Sequence, residues 1–248
     1  MTIDLAASRI RLILLDIEGT TTPMAFVHER LFPYARVRLR AWLTSRAGTD
    51  ERRDVMALLR AEHAADAAQD DAVPAWPADP RDDIEPAVAY LEWLMDRDRK
   101  SPALKRLQGL IWEDGYQAGE LRGEVFADVP DALRRWRAAG IDLAIYSSGS
   151  ELAQRRLFAS TVHGDLTPLI SAFFDTAVGA KISPASYQRI VAALGHAPGE
   201  ALFVSDVTRE LRAAEEAGCQ VVLSIRPGNP DQPHSEAFAH VSSFDRIR

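Results

Sequence analysis

A short apolar run from Ile10 to Leu15, cut off by Asp16-Ile17-Glu18-Gly19-Thr20, constrains this chain more than any other segment. The run does not alternate between apolar and polar residues, so it predicts a strand buried on both faces, with a loop starting at Asp16. Such a strand needs parallel neighbours and helices on both sides, and the rest of the chain must supply them.

The supply begins only after Val125. Pro130 suits the first turn of a helix that Gly140 terminates, and Ile141 to Tyr146 reads as the next strand. A helix from Glu151 to about Ser160 follows, then a short strand at Phe173-Phe174 and a helix opened by Ser183-Pro184 and closed by Gly195. The strand Ala201 to Val204, the helix Thr208 to Ala217 and the strand Gln220 to Ser224 complete the series. This alternation predicts an α/β fold, a doubly wound parallel sheet with right-handed crossovers.

Between Pro23 and Val125 no comparable strand appears. Helical spacings take over, in Val55, Leu58 and Leu59, in Val88, Leu91, Leu94 and Met95, and in Leu104, Leu107, Leu110 and Ile111. Pro74, Pro77 and Pro80 mark the stretch Ala72 to Asp83 as a loop between helical pairs. The expected organisation is therefore an α/β core of residues 1–22 and 126–248, interrupted by a helical insertion of residues 23–125.

Composition narrows the function classes. With 248 residues, 47% of them apolar and 26% charged, the chain has ample core material, which argues against disorder, collagen or a disulfide-stapled miniprotein. A net charge of -7 repels nucleic acid and anionic membranes, so neither is an expected partner. Cys219 is the single cysteine, which rules out an intrachain disulfide and points to a reducing, cytoplasmic setting with the thiol as a small core residue. The start of the sequence reads as neither a signal peptide nor a membrane span. The six histidines show no metal-ligand spacing, and the charged run Asp50 to Asp54 reads as a solvated helix face.

In doubly wound sheets the ligand site lies outside the carboxyl ends of the strands, which directs attention to Asp16, Ser147, Ser148 and Asp206. Asp16 and Glu18 stand two positions apart, and two acids this close favour a cation between them, with Mg²⁺ the natural candidate. Asp16 can then serve as a nucleophile toward phosphorus, although an isolated D-x-E is also an ordinary loop pattern. Ser147 and Ser148 can hold phosphate oxygens near a helix N-terminus, or Ser148 and Glu151 can form a capping box. Lys181 can neutralise phosphate and steady the nucleophile, or it can be a solvated loop lysine. Asp206 is a further Mg²⁺ ligand or a helix cap.

Taken in order, Asp16-x-Glu18, Ser147-Ser148, Lys181 and Asp206 resemble the haloacid dehalogenase-like phosphohydrolases. The insertion falls where that superfamily often carries a helical cap domain. More narrowly, Asp16 to Pro23, Tyr146 to Ser150 and Ser205 to Glu210 resemble the enolase-phosphatase subgroup of methionine salvage, in which Glu18 takes a position that is Asp in most of the superfamily.

That resemblance implies one Mg²⁺ per subunit, held by Asp16, Asp206 and Glu18, the last through its backbone carbonyl. It implies Asp16 as nucleophile, Glu18 at the acid/base position, and Ser147, Ser148 and Lys181 on the phosphate. The implied substrate is a small phosphorylated diketone, 2,3-diketo-5-methylthiopentyl 1-phosphate, enolised and dephosphorylated to an acireductone, with the insertion closing over the site. The base for enolisation stays unassigned, and a monomer is the expected state. Two alternatives remain: a capped phosphatase of the same superfamily acting on another small phosphate ester, and an aspartate-phosphorylated receiver module.

Overall fold

The computed structural model describes residues 2–77, 83–99 and 101–248. The chain divides into two compact units, Met1–His28 with Gly119–Arg248, and Glu29–Ala118.

The first unit holds a parallel sheet in the order β3-β2-β1-β4-β5-β6. Its strands are β1 (Leu12–Leu15), β2 (Asp142–Tyr146), β3 (Ala172–Phe174), β4 (Ala201–Ser205), β5 (Gln220–Ser224) and β6 (His240–Val241). All four residues of β1 are buried, as expected of a strand with neighbours on both edges and helices on both faces. Leu15 pairs with Ile145 of β2 on one side and with Val204 of β4 on the other. The order therefore reverses at β1, and the crevice of such a sheet opens beside the carboxyl ends of β1 and its neighbours.

The unit's helices are α1 (Met24–Phe26), and, after the second unit, α7 (Val129–Ala138), α8 (Glu151–Ala159), α9 (Pro184–Ala193) and α10 (Thr208–Glu216). Pro130 lies in the first turn of α7, and Gly140 ends that helix with a φ of 77°. Leu12, Leu14, Tyr146, Tyr187, Phe203 and Leu211 join one core cluster, to which Cys219 also belongs.

The second unit is helical: α2 (Phe32–Arg36), α3 (Leu39–Ser45), α4 (Asp50–Ala67), α5 (Ile84–Asp96) and α6 (Pro102–Gln117). Thr49 caps α4 by accepting the Arg52 N–H, and Ser101 caps α6 by accepting the Leu104 N–H at 3.0 Å. Glu62 of α4 accepts the Ala103 N–H at 2.9 Å and so fastens the start of α6 to α4. No helix among the described residues is long and apolar enough to cross a membrane.

Several details differ from the sequence reading. The units divide at His28 and Gly119 rather than at residues 22 and 125, because residues flanking the insertion bond to the α/β unit: Gly123 N–H donates to Ser160 O at 3.0 Å. Leu58, counted into an apolar helical stripe, is 37% exposed, while Val55 and Leu59 are fully buried. Strand β6 was not anticipated, since a two-residue strand whose first residue, His240, is exposed leaves no apolar run. Pro74 and Pro77 lie in the non-helical stretch after α4, whereas Pro80 and residues 78–82 lie outside the described residues.

Candidate active site

Asp16 leaves β1 with its N–H still bonded to Val204 O at 3.0 Å, so the parallel ladder sets its position. The residue is 4% exposed. Oδ1 accepts hydrogen bonds from Ile17 N–H and from the Lys181 ammonium, both at 2.7 Å, and Oδ2 accepts from Ser205 Oγ at 3.2 Å.

The chain then turns tightly. Ile17 O accepts the N–H groups of Thr20, Thr21 and Thr22, while Gly19 N–H donates to Thr22 O at 2.9 Å. Glu18 is half-buried in this turn. Gly19 has a φ of 66°, and a Cβ there would overlap the Asp206 carboxylate, so both backbone strain and space require glycine.

Lys181 arrives from the loop before α9, held by two core tyrosines. Tyr187 donates its hydroxyl to Lys181 O at 2.6 Å, and Tyr146 donates to Gly179 O at 2.9 Å. The two rings meet edge to face, 5.5 Å apart, and Tyr187 packs in turn on Phe203. The buried Lys181 ammonium thereby lies between Asp16 and Glu210 Oε2, which is 2.6 Å away. Burial alone would push the ammonium down, but the two carboxylates outweigh it and hold Lys181 above the usual lysine range.

Glu210 is displaced upward by burial, with Lys181 opposing. Ser205 Oγ lies 3.1 Å from Glu210 Oε2 as well as near Asp16, so its single proton serves one carboxylate at a time. Asp206, the next residue, is 5% exposed, and burial together with the Asp16 charge pushes its carboxyl up to about 7. Among the described residues no group of three or more His, Cys, Asp or Glu side chains is placed to hold a metal ion by itself.

Ser147 and Ser148 follow β2. Ser147 N–H donates to Phe174 O at 3.1 Å, and its buried hydroxyl accepts the Gly149 N–H at 3.3 Å, which leaves the hydroxyl proton for an anion. Ser148 is exposed. The cap of α8 is not Ser148 but Ser150, which accepts the Ala153 N–H, because the chain becomes helical only at Glu151. Asp206 is likewise not a cap, since α10 starts two residues later behind Val207.

The sequence pattern of one family, the haloacid dehalogenase-like hydrolases, matches residues 10–218. Enolase-phosphatase E1 of Synechococcus elongatus is 48% identical over 238 residues, covering 96% of this chain and 98% of that protein. The chain belongs to the enolase-phosphatase E1 family of haloacid dehalogenase-like hydrolases. Enolase-phosphatase E1 of an Enterobacter strain is 44% identical, with 96% of each chain covered. Among solved structures, the UTR4 protein of Saccharomyces cerevisiae matches with a TM-score of 0.75 and 31% identity, over 95% of this chain and 99% of that one. The receiver alternative falls with the sheet order, since receiver domains place β1 between β2 and β3 whereas here it lies between β2 and β4.

The hydrolase thus joins Asp16, Lys181 and Asp206 at the ends of β1 and β4, with Ser147 and Ser148 at the end of the adjacent β2. Sequence reasoning assigned no role to Glu210, which lies in the first turn of α10, four residues after Asp206. It also missed Asn229, whose amide donates to Gly19 O at 2.9 Å. No local pattern marks that residue, which comes from the loop after β5.

Proposed function

We propose that this enzyme is the bifunctional enolase-phosphatase of methionine salvage, which enolises 2,3-diketo-5-methylthiopentyl 1-phosphate and dephosphorylates the product to an acireductone. The observation that carries the phosphatase half is the buried Asp16 carboxylate, held by Lys181 on one side with the second acid, Asp206, close by.

The donor set fits Mg²⁺. Two buried acids, one of them pushed up to about 7 by burial and by its neighbour, call for a cation, and hard oxygen ligands suit magnesium. Asp16, Asp206 and the backbone carbonyl of Glu18 would hold a single ion. When bound, Mg²⁺ offsets the charge of the phosphate and orients it for in-line displacement.

The remaining steps belong to the chain. Ser147 and Ser148 donate hydrogen bonds to phosphate oxygens, and Lys181 lowers the repulsion between the phosphate dianion and Asp16. Asp16 attacks phosphorus, the ester oxygen leaves with a proton from Glu18, and an aspartyl phosphate forms. Glu18 then removes a proton from water, whose oxygen displaces Asp16 and releases inorganic phosphate. We read the protein as a monomer, and the single buried thiol of Cys219 supports a reducing compartment, the cytoplasm.

Stopped-flow absorbance with the diketone phosphate tests the reading. An enol species that rises before phosphate appears is expected; phosphate release with no enol product would instead mark a phosphatase for another ester.

A further inference from the structure

The turn that carries Gly19 is held by strand β5 and the loop after it. Gly19 O accepts from Ser224 Oγ at 3.3 Å and from Asn229 Nδ2 at 2.9 Å, and the same Nδ2 reaches Ser224 O at 3.3 Å. Two carbonyl acceptors decide which end of the carboxamide faces them, since only the NH₂ group can donate to both.

Asn229 Oδ1 is therefore turned to the other side, against Gly19. A Cβ on Gly19 would lie 2.9 Å from this oxygen and would overlap the Asp206 carboxylate, so the two side chains share one small space. Oδ1 is buried and accepts no hydrogen bond among the described residues. Leaving such an acceptor unmet costs about 1–3 kcal/mol. Asp206 cannot meet the need while ionised, because a carboxylate is also an acceptor. What fits between two acceptors at a cation site is a donor carried by the cation, namely its water of hydration, since Mg²⁺ usually keeps several.

We propose that Asn229 is a positioning residue of the cation site: Nδ2 holds the Gly19 carbonyl, and Oδ1, on the side of Gly19 that the Asp206 carboxylate also crowds, accepts a hydrogen bond from the cation's hydration water. The assignment rests on the Mg²⁺ reading above. Partners of this kind, one step outside the ligands, typically change metal affinity or activity 10–100-fold when removed.

The test is binding of Mn²⁺ alone to the full chain, followed by loss of the free-ion electron paramagnetic resonance signal and by competition with Mg²⁺. Melting temperatures in EDTA show that each variant is folded. Asn229→Ala loses both contacts and is expected to bind Mn²⁺ about tenfold more weakly than wild type. Asn229→Asp keeps the acceptor and adds charge but cannot donate to Gly19 O, so it is expected to bind Mn²⁺ at least as tightly while kcat falls. If Asn229→Ala melts below the assay temperature, the Asp variant, equal in size, carries the test. An Ala variant binding within twofold of wild type, or an Asp variant binding more weakly than wild type, overturns the proposal. Wild-type protein that binds no Mn²⁺ overturns the cation reading itself, a result distinct from either.

Discussion

Lys181 Nζ lies 2.7 Å from Asp16 Oδ1, and the contact is closed to solvent. With Glu210 on its other side, this ammonium offsets two buried carboxylates and stands near a third, Asp206. Lys181→Ala should lower kcat/KM by about 10² or more, as expected when a charge that stabilises the transition state is removed. The stability deficit should also depend on pH. Without Lys181 the clustered acids hold protons more tightly folded than unfolded, so that contribution is present at low pH and lost as pH rises. Melting curves in EDTA should show a larger deficit at pH 8 than at pH 5; a constant deficit would mean that Lys181 is not the counter-charge.

Asp16→Asn keeps the shape of the side chain and removes the carboxylate proposed as the nucleophile. Phosphate release should fall to background while the melting temperature in EDTA holds or rises, because a buried negative charge is lost near Asp206. Continued turnover near the wild-type rate in a phosphate-release assay would remove Asp16 from the nucleophile's role.

Tyr187 anchors the backbone of Lys181 through its hydroxyl, at 2.6 Å. Tyr187→Phe retains the ring packing between Tyr146 and Phe203 and deletes only this bond. It should cost about 1 kcal/mol in urea unfolding and reduce kcat severalfold. Lys181→Ala combined with Tyr187→Phe should lose little more activity than Lys181→Ala alone; fully additive losses would count against a role acting through the lysine.

How far the site is legible depends on how local its cause is. Asp16, Ser147 and Asp206 follow apolar runs long enough to announce themselves as strands, so the ends of β1, β2 and β4 could be placed from pattern alone. Lys181 needed its company, since nothing in Gly179-Ala180-Lys181 reveals that two tyrosines hold the loop. The S-x-x-E spacing suggested Ser148 as the cap, but capping depends on where φ and ψ turn helical, and that occurs after Ser150. Asn229 lies beyond local reading, because its hydrogen bond to Gly19 spans 210 positions and exists only once β5 has taken its place in the sheet.

The half-buried Asp128 pairs with the buried Arg226. Arg226 Nη1 lies 2.8 Å from Asp128 Oδ2, and its Nε donates to Thr20 O in the turn after β1 at 3.2 Å. Burial opposes ionisation of Asp128, yet hydrogen bonds from Phe244 N–H, Arg226 and Ser243 outweigh it and hold the carboxyl below the usual range. For an acid depressed in the folded state, the stabilisation is present above the unfolded value, about 3.9, and is lost as pH falls through the folded one. Wild-type protein should therefore lose stability on acidification below about pH 5, and part of that slope belongs to this pair. Asp128→Asn should be less stable at pH 7 by up to about 3 kcal/mol, since it leaves the buried Arg226 charge uncompensated. Its melting temperature should also fall less steeply between pH 5 and pH 3 than that of wild type. Equal slopes in the two proteins would show that Asp128 does not titrate within the folding transition.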